Sequence, residues 1–244
     1  MSFLKNHPFA VEAFFDSSIV LTFAVPKEEL KSIIPDKLEL DTFEDKWAFI
    51  AVAMVQTSAL RPKGFPKFMG NNFFLTGYRI FVRYRNKAGK TLRGLYIIKS
   101  ETDKVKMELL GNIFTHYKYT TTDIKNDLKD DVRTIYSKKS EFKVVIKNTK
   151  DEVLIPMNSS FKNWEDARKF AGPLPHTFVY DKRKKSMLII QGVRQNWKPK
   201  PIIIADYNFE FLRKFQFSKV VLASAFEITN IPYYWKKGKV EAWN

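Results

Sequence analysis

The 244-residue sequence predicts a fold of the α+β class that is predominantly antiparallel β, a curved sheet or partly closed barrel carrying two or three short helices. Two observations carry this expectation. Segments of strand-like composition outnumber helical ones by about four to one. The connections between them are short, as in a run of hairpins. No internal repeat, linker or low-complexity tract divides the chain, so a single domain over residues 1–244 is expected.

Residues 10–15 and 18–25 read as strands or one long strand, the second rich in β-branched and aromatic side chains. Pro26 then opens a short helix, with Glu28 and Glu29 where the helix dipole favours acids, and Pro35 ends it. Residues 38–43 lead into a turn at Glu44-Asp45-Lys46, and residues 47–55, apolar on both faces, read as a central strand. Residues 58–70, with Pro62, Gly64 and Pro66, form a loop carrying Arg61, Lys63 and Lys67. Residues 73–84 alternate, with Tyr78, Ile80 and Val82 on one face and Arg79, Phe81 and Arg83 on the other.

A turn at 86–89 returns the chain into residues 91–118, the stretch around which the rest is organised. Leu95 to Ile98 form a short buried strand. Ser100, with Asp103 three residues on, has capping-box spacing. Val105, Leu109 and Ile113, with Leu110 and Phe114 beside them, form an apolar stripe expected to lie on the core. Thr115, His116, Tyr117, Lys118 and Tyr119 follow at once, a polar cluster at the end of a packed element.

Four antiparallel strands are expected at 117–124, 132–137, 142–146 and 152–156, the last two joined by a polar loop at 147–151. Asn163 caps a helix over 164–171, which Gly172 and Pro173 stop. Residues 176–180 and 186–193 form a hairpin across the basic turn 182–185, and 201–211 and 219–228 are the last strands.

Composition narrows the function. At 45% hydrophobic and 28% charged the chain is globular in character, and 22 phenylalanines supply rings for a core or an apolar cavity. The absence of cysteine excludes thiolate nucleophiles, disulfides and sulfur-ligated metals. The formal charge of +16 is scattered over the chain without a nucleic-acid motif, so no nucleic-acid partner is expected. The N-terminus is a poor signal peptide, and the longest nearly uncharged run, 47–60, is too short for a bilayer. Cytoplasmic localisation without a membrane partner is the expectation.

Three histidines without metal-ligand spacing give no metal site, and the dispersed glycines form no phosphate loop, so no cofactor is expected. Arg79 and Arg61 have the best case as anion ligands, since a guanidinium grips a carboxylate with two parallel bonds. Arg79 lies in an apolar strand and must find a partner. That partner is Glu101, Glu108 or Asp206 in a structural reading, and the carboxylate of a ligand in a functional one. His116 is a candidate acid–base or hydrogen-bonding group. Lys118 is a nucleophile if it points inward, where burial would depress its pKa, and otherwise a solvent-facing lysine on a strand.

The pattern as a whole resembles a known family. Pro26 through Pro35 followed by Leu38-Glu39-Leu40-Asp41-Thr42-Phe43 resembles its opening, and Arg61-Pro62-Lys63-Gly64 its "RPRG" loop. Arg79-Ile80-Phe81-Val82 resembles "RTYV", and Gly94-Leu95-Tyr96 resembles "GVYF". Phe114 to Lys118 resembles "F-x-L-P-Y", Tyr136-Ser137 "YSS", and Gly238 to Trp243 "GVDVRIW". The chain is thus similar to the uncharacterised DUF2071 (YqjF-like) group of the acetoacetate decarboxylase-like superfamily.

The resemblance implies that superfamily's curved sheet, and it makes a homo-oligomer a reasonable expectation. In the superfamily's true decarboxylases a lysine after a "G-x-P" element forms a Schiff base with a β-keto acid. Here the proline position falls on His116 and the reactive lysine on Tyr117, which cannot form an imine; only the neighbouring lysine has a counterpart, Lys118. Gln195, before Asn196-Trp197, stands where the family commonly carries histidine.

The expectation is therefore a small-molecule cavity for a carboxylic or keto acid that lacks the imine-forming lysine. Arg79, Arg61, Gln195 and Glu101 are its ligand-binding candidates, and His116, Tyr117 and Lys118 its polar wall. The alternative is a lyase or decarboxylase-like enzyme acting through Lys118 and His116.

Overall fold

The computed structural model describes residues 3–149, 152–172 and 174–243. The first half contains β1 (Val11–Pro26), α1 (Lys27–Lys31), β2 (Glu39–Leu40), β3 (Trp47–Pro62), β4 (Asn71–Arg85) and β5 (Thr91–Thr102). Next come α2 (Val105–Phe114), β6 (Tyr119–Thr121), β7 (Lys125–Lys129), β8 (Val132–Ser137) and β9 (Phe142–Lys147). The chain then forms α3 (Trp164–Ala171), β10 (His176–Asp181), β11 (Ser186–Arg194), β12 (Lys200–Pro201) and β13 (Ile203–Phe209). It finishes with α4 (Glu210–Arg213), β14 (Val221–Trp235) and β15 (Lys239–Ala242).

The principal sheet runs β14-β1-β3-β4-β5-β10-β11. Most neighbours are antiparallel; β5 and β10 are parallel, with Thr177 opposite Leu95. The path returns on itself, because β11 also pairs with β14 through Gly192↔Trp235 and Arg194↔Tyr233. Hydrogen bonding therefore runs in a ring, which leaves few edge amides open.

Strand alternation gives the ring two apolar faces. Ile19, Leu21 and Phe23 of β1, Ile50, Val52 and Met54 of β3, and Tyr78, Ile80 and Val82 of β4 belong to one buried cluster. A second sheet, β13-β9-β8-β7, covers that face with Ile135, Phe142, Val144 and Phe209. The intervening residues, Val20, Ala51, Ala53, Val55, Arg79 and Phe81, look into the ring. Covering on one side and enclosure on the other explain why β3 is apolar throughout residues 47–55. Phe161 and α3 close part of the ring, Phe161 stacking on Phe49 with centroids 5.3 Å apart. Asn163 caps α3 by accepting from the Asp166 amide at 2.8 Å, and Gly172 follows the helix.

Several local expectations are corrected. The strand expected at 117–124 shrinks to β6, which pairs parallel with β5, and residues 152–156 form no strand. The fully exposed β7, whose polar sequence hides its pairing with β8, takes the edge of the second sheet. Pro173, Lys150 and Asp151 lie outside the described residues. Ser100 is no helix cap: β5 continues through it, and Asp103 instead accepts from the Phe74 amide at 2.7 Å. The helix α2 is also rotated from expectation. Val105 and Leu109 are 71% and 62% exposed, while Met107 and Gly111 are buried. Gly111 decides the orientation, since its missing side chain admits the Tyr119 ring, so the face carrying Met107, Leu110, Gly111 and Phe114 turns to the interior.

Candidate functional site

The ring encloses a cavity of about 410 Å³. Most of its wall is aliphatic or aromatic, contributed by β1, β3, β4, β5, α2 and β14. A cluster of polar side chains interrupts it: Arg79 from β4, Tyr117 and Tyr119 at the exit of α2, Thr177 from β10, Arg194 from β11 and Tyr233 from β14. A largely apolar concavity with a few convergent polar groups is the usual make-up of a small-molecule site.

Arg79 reaches the cavity by strand alternation between Tyr78 and Ile80, both fully buried on the opposite face. Its Nε is buried without a hydrogen-bond partner, and it makes no ion pair among the described residues. The acids expected to pair with it are engaged elsewhere. Glu101 holds Lys99 Nζ at 2.8 Å, Glu108 accepts from the Thr121 amide at 2.7 Å, and Asp206 faces Lys143 at 3.4 Å. Burial lowers the Arg79 pKa; the phenols of Tyr119, Tyr233 and Tyr117 oppose that shift, and Arg194 adds to it. A guanidinium stays protonated even so, leaving a cation enclosed without a carboxylate.

Arg194 is the second guanidinium. It donates through Nη2 to the Leu174 carbonyl at 3.2 Å, lies over the rings of Trp197 and Tyr233 at 4.4 and 5.4 Å, and keeps an unpartnered Nε. The phenols of Tyr117 and Tyr119 are held protonated. Burial raises Tyr117 above the ordinary tyrosine value, with Tyr119 and Tyr233 adding to it and Arg79 opposing. Burial pushes Tyr119 up to about 12, again against Arg79. The Tyr117 hydroxyl has no hydrogen bond of good geometry, although Thr177 is close enough to oppose its shift. Two cations and protonated phenols form a donor-rich wall that suits an anion.

Backbone detail makes room for this wall. A Cβ on Gly77 would stand 3.1 Å from Arg79 Nη2 and 3.2 Å from its Nε, so the bare backbone lets the guanidinium lie along the strand. A Cβ on Gly192 would overlap Tyr233 Oη. In β5 an irregularity in the pairing sets Lys99 opposite Tyr78 and Ile97 opposite Arg79, with Ile98 as the extra residue. Ser100 thereby joins Leu95 and Ile97 on the cavity wall, while Glu101 lies with Lys99 beside Tyr78.

The structure brings together only part of the predicted set. Arg79, Tyr117 and Arg61 line the cavity, but Arg61 is ion-paired with Glu12 at 2.7 Å and donates to the carbonyls of Phe65 and Ala59. Lys118 is exposed, with a left-handed φ of 53°, and does not line the cavity. His116 is half-buried outside it, 3.1 Å from Asn6 Oδ1, and burial lowers its pKa. Gln195 is exposed, and Glu101 is buried against Lys99 away from the cavity. No lysine and no carboxylate lines the cavity among the described residues.

The histidine that does line it is His7, buried, with an unpartnered Nδ1 and a pKa lowered by burial. Its place is fixed by backbone bonds to the Phe114 carbonyl and from the Gly238 amide. Tyr119 belongs to the polar cluster that the sequence marks after α2, but no local signal marks His7, Arg194 or Tyr233, because pairings between distant strands bring them together. Among the described residues no three His, Asp or Glu side chains gather in a metal-binding group, and no helix is long and apolar enough to cross a membrane.

Known structures share this architecture. The acetoacetate decarboxylase of Legionella pneumophila superposes with a TM-score of 0.64 at 11% identity, covering 96% of this chain and 88% of that one. An acetoacetate decarboxylase-like enzyme from Sphingomonas wittichii RW1 gives 0.60 at 10% identity, covering 99% and 96%. The enduracididine biosynthesis enzyme MppR, in its complex with pyruvate, gives 0.57 at 8% identity, covering 96% and 90%. At such identities the likeness concerns the fold. No curated protein matches the sequence. The model of the DUF2071 family, described as an uncharacterized conserved protein, matches residues 15–226, and the chain belongs to that family.

Proposed function

We propose that this protein binds a small, partly apolar carboxylic or keto acid in the ring cavity, with Arg79 as the anion clamp. One observation carries the reading: a buried guanidinium faces a mostly apolar cavity with no acid beside it. Such a cation is unfavourable alone and favourable once a ligand anion completes it. Arg194 and the protonated Tyr117 and Tyr119 supply further donors, and the pyruvate held by the similarly folded MppR is an acid of this class.

An imine-forming enzyme would need an amine in contact with the carbonyl. The exposure of Lys118 and the lack of a lysine on the cavity wall argue for a binding protein instead. Titration calorimetry with a panel of carboxylic and keto acids tests the proposal. Binding to the wild type that Arg79→Met abolishes is expected. Equal affinity in the two proteins would refute the clamp. Borohydride treatment with pyruvate or acetoacetate should leave the intact mass unchanged; a trapped adduct would restore the enzyme reading.

A further inference from the structure

The polar cluster occupies a small share of the wall, and the remainder is lined by side chains such as Phe9, Leu60, Phe73, Met107, Leu110 and Phe114. The volume, about 410 Å³, equals that of roughly 14 liquid waters at about 30 Å³ each. It falls in the range of pockets that enclose drug-sized ligands. A pyruvate-sized acid bound at Arg79 would leave most of the apolar wall facing water. That water would face mostly apolar side chains, with only scattered polar partners such as His7 and Asn71.

From this mismatch we infer that the ligand is an amphiphilic monocarboxylate with an extended apolar part, of the size of a medium-chain fatty acid, rather than a short keto acid. The inference rests on the anion site proposed above and specifies its substrate class. Arg79 and Arg194 take the headgroup with the phenols and Thr177. The chain lies among the aliphatic and aromatic side chains of β3, β4 and α2. The inward face of α2, carrying Met107, Leu110 and Phe114, forms a wall for the chain that a short acid would not need.

The experiment is a chain-length series of straight saturated carboxylates from acetate to dodecanoate, titrated calorimetrically into the wild type, Arg79→Met and Leu110→Trp. Each methylene that leaves water for the apolar wall should lower Kd by about fourfold until the cavity is full. Leu110→Trp narrows the chain region. It should shift the optimum to shorter acids. A series with no length dependence, still lost in Arg79→Met, would overturn the amphiphile inference and keep the anion site. Binding that Arg79→Met leaves intact, or no binding by any acid, would overturn the anion site and the inference with it.

Discussion

Arg79 separates stability from binding, and replacing it by methionine should move the two in opposite directions. The guanidinium is enclosed, its Nε is unpartnered, and the acids expected to pair with it are committed to Lys99, Thr121 and Lys143. Removing an unsatisfied buried polar group should stabilise the empty protein by about 1–3 kcal/mol. In a chain of this length 1 kcal/mol corresponds to about 2–4 °C in Tm, so Arg79→Met should melt several degrees above the wild type.

A bound carboxylate should close or reverse that gap. At a hundredfold excess over Kd it stabilises the wild type by about 2.7 kcal/mol, or roughly 5–10 °C, and leaves the variant unmoved. Differential scanning calorimetry with and without octanoate reads both effects. A variant that melts below the wild type without ligand would show that Arg79 is satisfied in the free protein, and the idea of a waiting cation would be lost.

Further outcomes follow from the same geometry. Leu109→Glu, on the exposed face of α2, should change stability by no more than about 0.5 kcal/mol. Gly111→Val, whose side chain would overlap the Tyr119 ring, should destabilise by about 1–3 kcal/mol; urea unfolding of the pair tests the orientation of the helix, and the opposite ranking would restore the buried stripe. Gly77→Ala should weaken acid binding while preserving the melting temperature, since it displaces the Arg79 guanidinium within the cavity; unchanged affinity in calorimetry would free Gly77 of that role.

Burial holds His7, His116 and His176 below their ordinary value of 6.5, so between the lowered and the ordinary values the unfolded chain binds more protons than the folded one. Stability from these groups is complete above pH 6.5 and is lost as pH falls below it. The urea midpoint should therefore drop between pH 6.5 and 5, and less steeply in His7→Gln; equal slopes would show that His7 does not contribute.

The sequence by itself determined the architecture and the face on which Arg79 stands. Alternation in residues 73–84 separates Tyr78 and Ile80 from Arg79, and the structure keeps that separation. Asn163, the acids after it and Gly172 fix α3 locally, which is why that helix matches its expected bounds. Distributed motifs pointed to the family. Strand period and cap chemistry are local properties, so they can be read without knowing the partners.

Only the tertiary structure decided which faces meet. The sequence gives α2 apolar residues on both sides, and packing of Tyr119 against Gly111 selects the side away from Val105 and Leu109. The left-handed turn at Lys118 leaves that lysine outside while Tyr117 and Tyr119 enter the cavity. Arg194 joins Arg79 only because β11 returns to β14 and closes the ring, a pairing between residues far apart in the chain. Such contacts depend on how distant strands align, and a local pattern carries no record of that alignment.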